Sequence, residues 1–238
     1  MNTKEKAEIW KEYFDKLLNT EEQRVWTKSG NKECSEVEIE DLTVEDVKKT
    51  VRNLKNNKAA GTDGIHPELI KYRGNKLLNG IRELIRQIWG EKRIPEEWKD
   101  TIIVPMHKRG DRDRCENYGA IALGNAAHKI LLNIIFGKIK PYIGKVMGDY
   151  QNGFRDGRSV IDNIFALKII NERLWEYSQS VQYLFIDFQK AYDSILRDML
   201  WKCMKEFKMP TKLINMCKTC VQKTRSVVRI EGTLLSFF

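Results

Sequence analysis

Tyr183-Leu184-Phe185-Ile186-Asp187-Phe188-Gln189-Lys190-Ala191-Tyr192-Asp193 is the stretch on which the reading of this chain turns. Its alternation predicts a strand with Tyr183, Phe185 and Asp187 on one face and Leu184, Ile186 and Phe188 on the other. A carboxylate ending an apolar strand emerges at a sheet edge, where a divalent ion can reach it. Nucleotidyl transfer uses such carboxylates because Mg²⁺ ions must clamp both the attacking and the leaving oxygens. The blander reading, more common for an Asp so placed, is a cap for the helix that follows.

Two upstream loops carry compatible chemistry. Gln151-Asn-Gly153-Phe154-Arg155-Asp-Gly157-Arg158-Ser159 sets an aromatic and two arginines between glycines. Such a loop can stack on a base and hold phosphates, or serve as an ordinary helix entry. Met106-His-Lys108-Arg109-Gly-Asp-Arg112-Asp-Arg114 presents cations around an expected Gly110-Asp111 turn, which suits a triphosphate, a nucleic-acid backbone or a solvated surface. Between and around them the periodicity predicts an α+β chain rich in helix. A helical apolar face runs through Ile9, Trp10, Tyr13, Phe14, Leu17 and Leu18, followed by an acidic linker over 19–41. Thr43 and Asp46 form a capping-box start for a helix through Val44, Val47, Val51 and Leu54. A polar loop with hinge glycines, Lys55 to Gly64, comes next. Helices are expected over 67–73 and 76–89, the second ending at Gly90, then a strand over 101–104. Further helices are expected at 125–139, stopped by Pro141, and at 159–177, opened by Ser159 and Asp162. Two more helices break at Met209-Pro210, before a strand through Val227, Val228 and Ile230.

Composition narrows the class. The chain has 238 residues, 42% of them hydrophobic, so it can bury a core and is no disordered tail. Residues 1–50 carry 9 Lys/Arg against 13 Asp/Glu, whereas 51–238 carry 33 against 20. That asymmetry suits a polyanionic partner for the main body, or a basic domain without one. Five scattered cysteines read as reduced and intracellular, nuclear or cytoplasmic. Cys217 and Cys220 have ligand spacing but no second pair, and read better as neighbours one helical turn apart. The start has no apolar run of signal-peptide length, and no apolar stretch of ~18 residues suggests a membrane span. Nothing in the sequence speaks to oligomeric state.

Taken together and in order, these segments resemble the reverse-transcriptase domain of non-LTR (LINE-like) retrotransposons. Asn57 to Ile65 is similar to that family's opening block, and Trp98 to Leu123 to its fingers block. Gln151 to Ile164 is similar to its Gly-Phe-Arg block, and Leu184 to Asp193 to its first palm block. The resemblance implies the helix-rich fingers and partial palm of a right-hand polymerase. Its expected divisions are an N-terminal helix and linker (1–42), fingers (43–180) and the first, incomplete part of the palm (181–238). It implies RNA-directed DNA polymerisation with Mg²⁺, an RNA template, a DNA primer and dNTP. By position, Asp187 corresponds to a catalytic, metal-binding carboxylate and Phe188 to a backbone carbonyl beside the metal. Tyr192 corresponds to the aromatic gate against a 2′-OH, and Lys108 to a cation near the triphosphate. Arg109, Arg155 and Arg158 correspond to nucleic-acid contacts.

Two departures stand out. Gly119 occupies the place of a triphosphate-binding Arg, and no aromatic-x-Asp-Asp turn follows before Phe238. The chain is therefore expected to be inactive alone, as a shortened copy of a transposable element. The alternatives are a non-catalytic RNA-binding module or relic, and an unstable fragment whose palm sheet leaves an open edge.

Overall fold

The chain is described by a computed structural model covering residues 3–19, 39, 42–188, 191–192, 195–230, 232–234 and 236–238, with side chains from residue 8 onward. Local signals set its first elements. The Thr43 side chain accepts the Asp46 amide at 3.1 Å and the Asp46 carboxylate accepts the Thr43 amide at 3.1 Å, so the predicted capping box opens α2 (Val44–Arg52). Pro67 sits in the first turn of α3 (Pro67–Lys71), where its missing N–H has no helical partner to lose. α4 (Asn75–Glu91) runs one residue past Gly90. The left-handed residue that ends it is Lys92, whose N–H donates to the Ile88 carbonyl.

Val47 and Val51 of α2, with Leu54, meet Ile81, Ile85, Ile88 and Trp89 of α4 in the main core. The central partner is α5 (Ala126–Val146), which contributes Ile130, Leu131, Ile134, Ile135 and Ile139. The expected stop at Pro141 does not occur, because Pro141 lies inside α5. Proline in a helix interior costs ~3 kcal/mol through a lost bond and a ring clash. Here Tyr142 and Ile143 still pack against the core beyond it, and that burial offsets the cost. Leu213, Ile214, Met216 and Cys220 of α8 (Thr211–Val221) close the core from the other side, after α7 (Arg197–Glu206).

A small sheet has the order β2-β1-β3-β4. β1 (Asp100–His107) pairs antiparallel with β2 (Tyr118–Leu123) and parallel with β3 (Arg225–Ile230), and β3 pairs antiparallel with β4 (Thr233–Leu234). β1 is longer than the pattern predicts, and β2 has no counterpart among the predicted elements. Its run Gly119-Ala-Ile-Ala122 has too weak an alternation to announce a strand, and the β1 ladder supplies what the pattern lacks. Register pairs Asp100 with Arg225, and their side chains meet at 2.7 Å. α1 (Thr3–Leu18) covers this sheet, with Phe14 fully buried against Ile103 and Val228. The sheet thus joins the stretch before residue 180 to the stretch after it. The expected linker over 19–41 lies almost wholly outside the described residues.

One predicted strand is corrected. Residues 181–188 belong to no strand, and α6 (Val160–Glu176) before them buries none of its residues. Leu184 is 86% exposed, Phe185 83% and Phe188 76%. A strand needs a ladder partner, and among the described residues none lies beside this segment. The architecture is α+β, and no helix among the described residues is long and apolar enough to cross a membrane.

Candidate nucleotide and nucleic-acid site

The site is built on a buried amide. Asn125, 1% exposed, donates from Nδ2 to the Glu97 carbonyl at 2.9 Å and accepts from the Thr62 hydroxyl at 3.1 Å. This fastens the Lys55–Gly64 loop to the start of α5. Gly61 lies so close that a Cβ there would fall 2.3 Å from Asn125 Oδ1 and 2.7 Å from the Asn125 backbone nitrogen. Gly64 adopts φ +67° in the turn closed by its N–H to the Gly61 carbonyl. The two glycines therefore shape the loop for packing and turning, and no phosphate is needed to explain them.

Beyond β1 the chain turns back through a braced hairpin. The Lys108 N–H donates to the Asn117 carbonyl at 2.9 Å, the Asn117 amide to the Asp111 carbonyl at 2.8 Å, and the Tyr118 hydroxyl to the Arg112 carbonyl at 2.9 Å. His107 Nε2 lies 3.0 Å from the Gly110 carbonyl. Trp10 of α1 packs edge-on against Tyr118 at 4.6 Å. Asp111 is engaged by the Asp113 N–H and Glu116 by Arg114, while Lys108, Arg109 and Arg112 are exposed with no carboxylate partner among the described residues. Gly119 has a local consequence as well. A Cβ at 119 would stand 2.4 Å from Lys108 Cε, so the Lys108 side chain lies across the space that a residue-119 side chain would fill.

The Gln151–Ser159 loop is held differently. Asp149 accepts from Arg158 at 2.8 Å and lies 3.9 Å from Arg155, which also donates to the Gly148 carbonyl at 3.0 Å. The two arginines thus share one aspartate that is itself largely exposed. Asn152 is buried and donates to Asn163, tying the loop to α6. Phe154, with φ 57° and 95% exposure, meets Tyr192 ring-to-ring at 6.4 Å. Two expected site residues therefore come together, Tyr192 from the palm block and Phe154 from the preceding loop.

Asp187 is exposed and makes no hydrogen bond or ion pair among the described residues. No group of three His, Cys, Asp or Glu able to hold a metal ion occurs among the described residues, and Asp193 lies outside them. Reverse transcriptases use divalent metal, but these residues do not by themselves fit such an ion. Cys217 and Cys220 do not form a metal site either. Burial pushes their thiols up to about 11 and about 12, so both stay protonated at neutral pH.

His128, near the start of α5, stacks on Trp98 at 5.6 Å with Nε2 buried and unpartnered among the described residues. Burial holds its imidazole below the usual value, a smaller opposing effect coming from a backbone hydrogen bond with Trp98. With a folded-state pKa below the unfolded value of about 6.5, the unfolded chain takes up the proton first as pH falls. Stability should therefore decline on acidification below about pH 6.5 and level off below the folded pKa. His128→Phe keeps the stack and removes the proton, so its urea midpoint should fall less between neutral pH and about pH 5 than that of the unsubstituted chain. Equal declines would acquit His128.

The chain belongs to the reverse transcriptase (RNA-dependent DNA polymerase) family, whose model matches residues 106–237. Within it, this is a reverse-transcriptase domain of the non-LTR, LINE-like kind. It is 22% identical over 198 residues to a protein described as a probable RNA-directed DNA polymerase from transposon BS of Drosophila melanogaster, covering 82% of this chain and 22% of that one. It is 20% identical over 193 residues to the uncharacterized 149 kDa protein of transposon TX1 from Xenopus laevis, covering 81% and 15%. It is 29% identical over 160 residues to the Pol polyprotein of the type-1 retrotransposable element R1 from Bradysia coprophila, covering 65% and 16%. The chain spans between 15% and 22% of the length of these relatives.

Proposed function

We propose that this segment forms the fingers and first part of the palm of a right-hand RNA-directed DNA polymerase, and that its work is to hold template, primer and incoming dNTP. The observation that carries the reading is the braced hairpin, which presents Lys108 and Arg109 without carboxylate partners among the described residues. Lys108 would meet the triphosphate, reaching it across Gly119. Arg109, Arg155 and Arg158 would follow the phosphates of RNA template and DNA primer, with Asp149 giving up its arginines as nucleic acid arrives. Tyr192, braced by Phe154, would pack under the sugar and disfavour a 2′-OH. The Phe188 carbonyl and the Asp187 carboxylate would face Mg²⁺, although one carboxylate does not assemble a two-metal site. The substrates would be met inside the cell, in nucleus or cytoplasm.

A non-catalytic RNA-binding module is the second reading, favoured by Asp187 having no second carboxylate beside it among the described residues. Primer extension and filter binding separate the readings. Residues 1–238 should bind RNA yet incorporate no dNTP. Replacing Lys108, Arg109, Arg155 and Arg158 together by Ala should flatten the log–log salt dependence of binding, by about 0.7 for each single-strand phosphate that is no longer neutralised. Asp187→Asn should leave binding intact. Incorporation by this chain that disappears with Asp187→Asn would show that the metal site is complete. A slope indifferent to the four substitutions would remove these residues from the RNA path.

A further inference from the structure

We infer that the groove between α2 and α5 is a second nucleic-acid site, one that grips a single-stranded phosphate backbone with cations other than those of the hairpin and the Gln151–Ser159 loop, a loop that lines the groove through Asp156. Its cavity is about 1170 Å³. Lys49, Lys55 and Lys58 line one wall, and Lys129, Lys138 and Lys140 the other. Against these six lysines stand two aspartates, and both already serve the fold. The Asp46 carboxylate accepts the Thr43 amide in the capping box, and Asp156 pairs with Lys140. Lys49, Lys55, Lys58 and Lys129 consequently have no carboxylate partner among the described residues. A convex face with this charge would be an ordinary solvated surface. Opposed walls focus the potential into the space between them, where an anion gains from both sides.

The α5 wall has the form of a track. Lys129, Asn133, Phe136, Gly137 and Lys140 recur at helical spacing on one face. From Lys129 to Lys140 that face runs about 16 Å at 1.5 Å per residue. Phe136 is half exposed amid the lysines, with Lys140 Nζ 6.0 Å from its ring centre. An aromatic interleaved with cations is how single strands are held without sequence preference, bases stacking while the backbone is neutralised. At Gly137 a Cβ would meet nothing within 4 Å, so the track is open there. Neither Asp187 nor the hairpin cations enter this inference, and it stands whether or not the chain polymerises.

The test is filter binding of oligo(U) and, in parallel, oligo(dT) to the 238-residue chain at several salt concentrations. Replacing Lys49, Lys55, Lys58 and Lys129 together by Gln should reduce the log–log slope by about 3, at about 0.7 per neutralised phosphate. The same four positions changed to Arg should restore the slope, which separates lost charge from a lost fold. Phe136→Ala should weaken binding roughly 5- to 150-fold, the value of one stacked base, with the slope unchanged. A slope unaffected by the Gln substitutions overturns the site. So does poly-glutamate competing as well as oligo(U) at equal charge, which would make the partner an acidic protein. Loss of slope in the Lys108/Arg109/Arg155/Arg158 variant but not in the Gln variant sinks the groove alone, and the reverse pattern sinks only the hairpin path.

Discussion

Gly61→Ala should cost this chain about 3 kcal/mol of stability or more, taking the usual 1–3 kcal/mol for overpacking together with ~1 kcal/mol for the disturbed Thr62–Asn125 hydrogen bond. The added Cβ would meet Asn125 Oδ1 at 2.3 Å and, more seriously, the Gly124–Asn125 backbone at 2.7 Å. Asn125 cannot swing aside cheaply, because its amide also satisfies the Glu97 carbonyl. Against a total stability of roughly 5–15 kcal/mol, this is a large fraction. Gly64→Ala is the control, since its Cβ would meet nothing and only the left-handed φ is strained, at about 1–2 kcal/mol. Urea midpoints for the two variants measure the difference. A Gly61→Ala protein as stable as the parent would mean that the loop does not approach α5 this closely in solution.

That loop shows which parts of the molecule can be read from sequence. Signals confined to a few residues are legible: the Thr43/Asp46 capping box, the break at Met209-Pro210, and Cys217 and Cys220 one turn apart on α8. Signals that depend on distant partners are not. Gly61 and Gly64 read as hinges, but only the position of Asn125, 64 residues beyond Gly61, explains why the first must lack a Cβ. β2 exists because β1 pairs with it, and Pro141 is tolerated because Tyr142 and Ile143 still find the core. The proposed sites are partly legible. Ordered motifs single out Lys108, Arg155 and Tyr192 as candidates, whereas the proposed lysine groove is hidden because its walls come from residues 49–58 and 129–140. The i, i+4, i+8, i+11 recurrence of Lys129, Asn133, Gly137 and Lys140 is the one signal that could have found it.

The same dependence on partners leads to the last prediction, self-association of residues 1–238. Ile161, Ile164, Phe165 and Trp175 stand exposed on α6, followed by Leu184, Phe185, Ile186 and Phe188 on a segment without a ladder. Eight exposed apolar side chains on two consecutive segments, tied together by the Tyr183 hydroxyl donating to Asn171, are unusual on a monomer and suit an interface. In the proposed polymerase, further strands of the palm would cover it, and relatives several times longer have the chain to do so. Left uncovered, unpaired backbone and apolar side chains should bring two copies together at concentrations on the order of 10 µM. Phe165→Glu, Leu184→Lys and Ile186→Lys each remove a side chain worth about 1.5–3 kcal/mol on burial. Even partial burial of the three makes the triple variant's dimer at least about 100-fold weaker, since every 1.4 kcal/mol is tenfold. Sedimentation velocity across a concentration series should show the parent's mass rising and the variant's staying at one chain. In a longer protein that includes the rest of the palm, the same substitutions should instead destabilise the fold. A parent chain that stays monomeric at about 100 µM would show this surface to be covered by the chain's own residues, and would remove the reason for assigning it to palm strands.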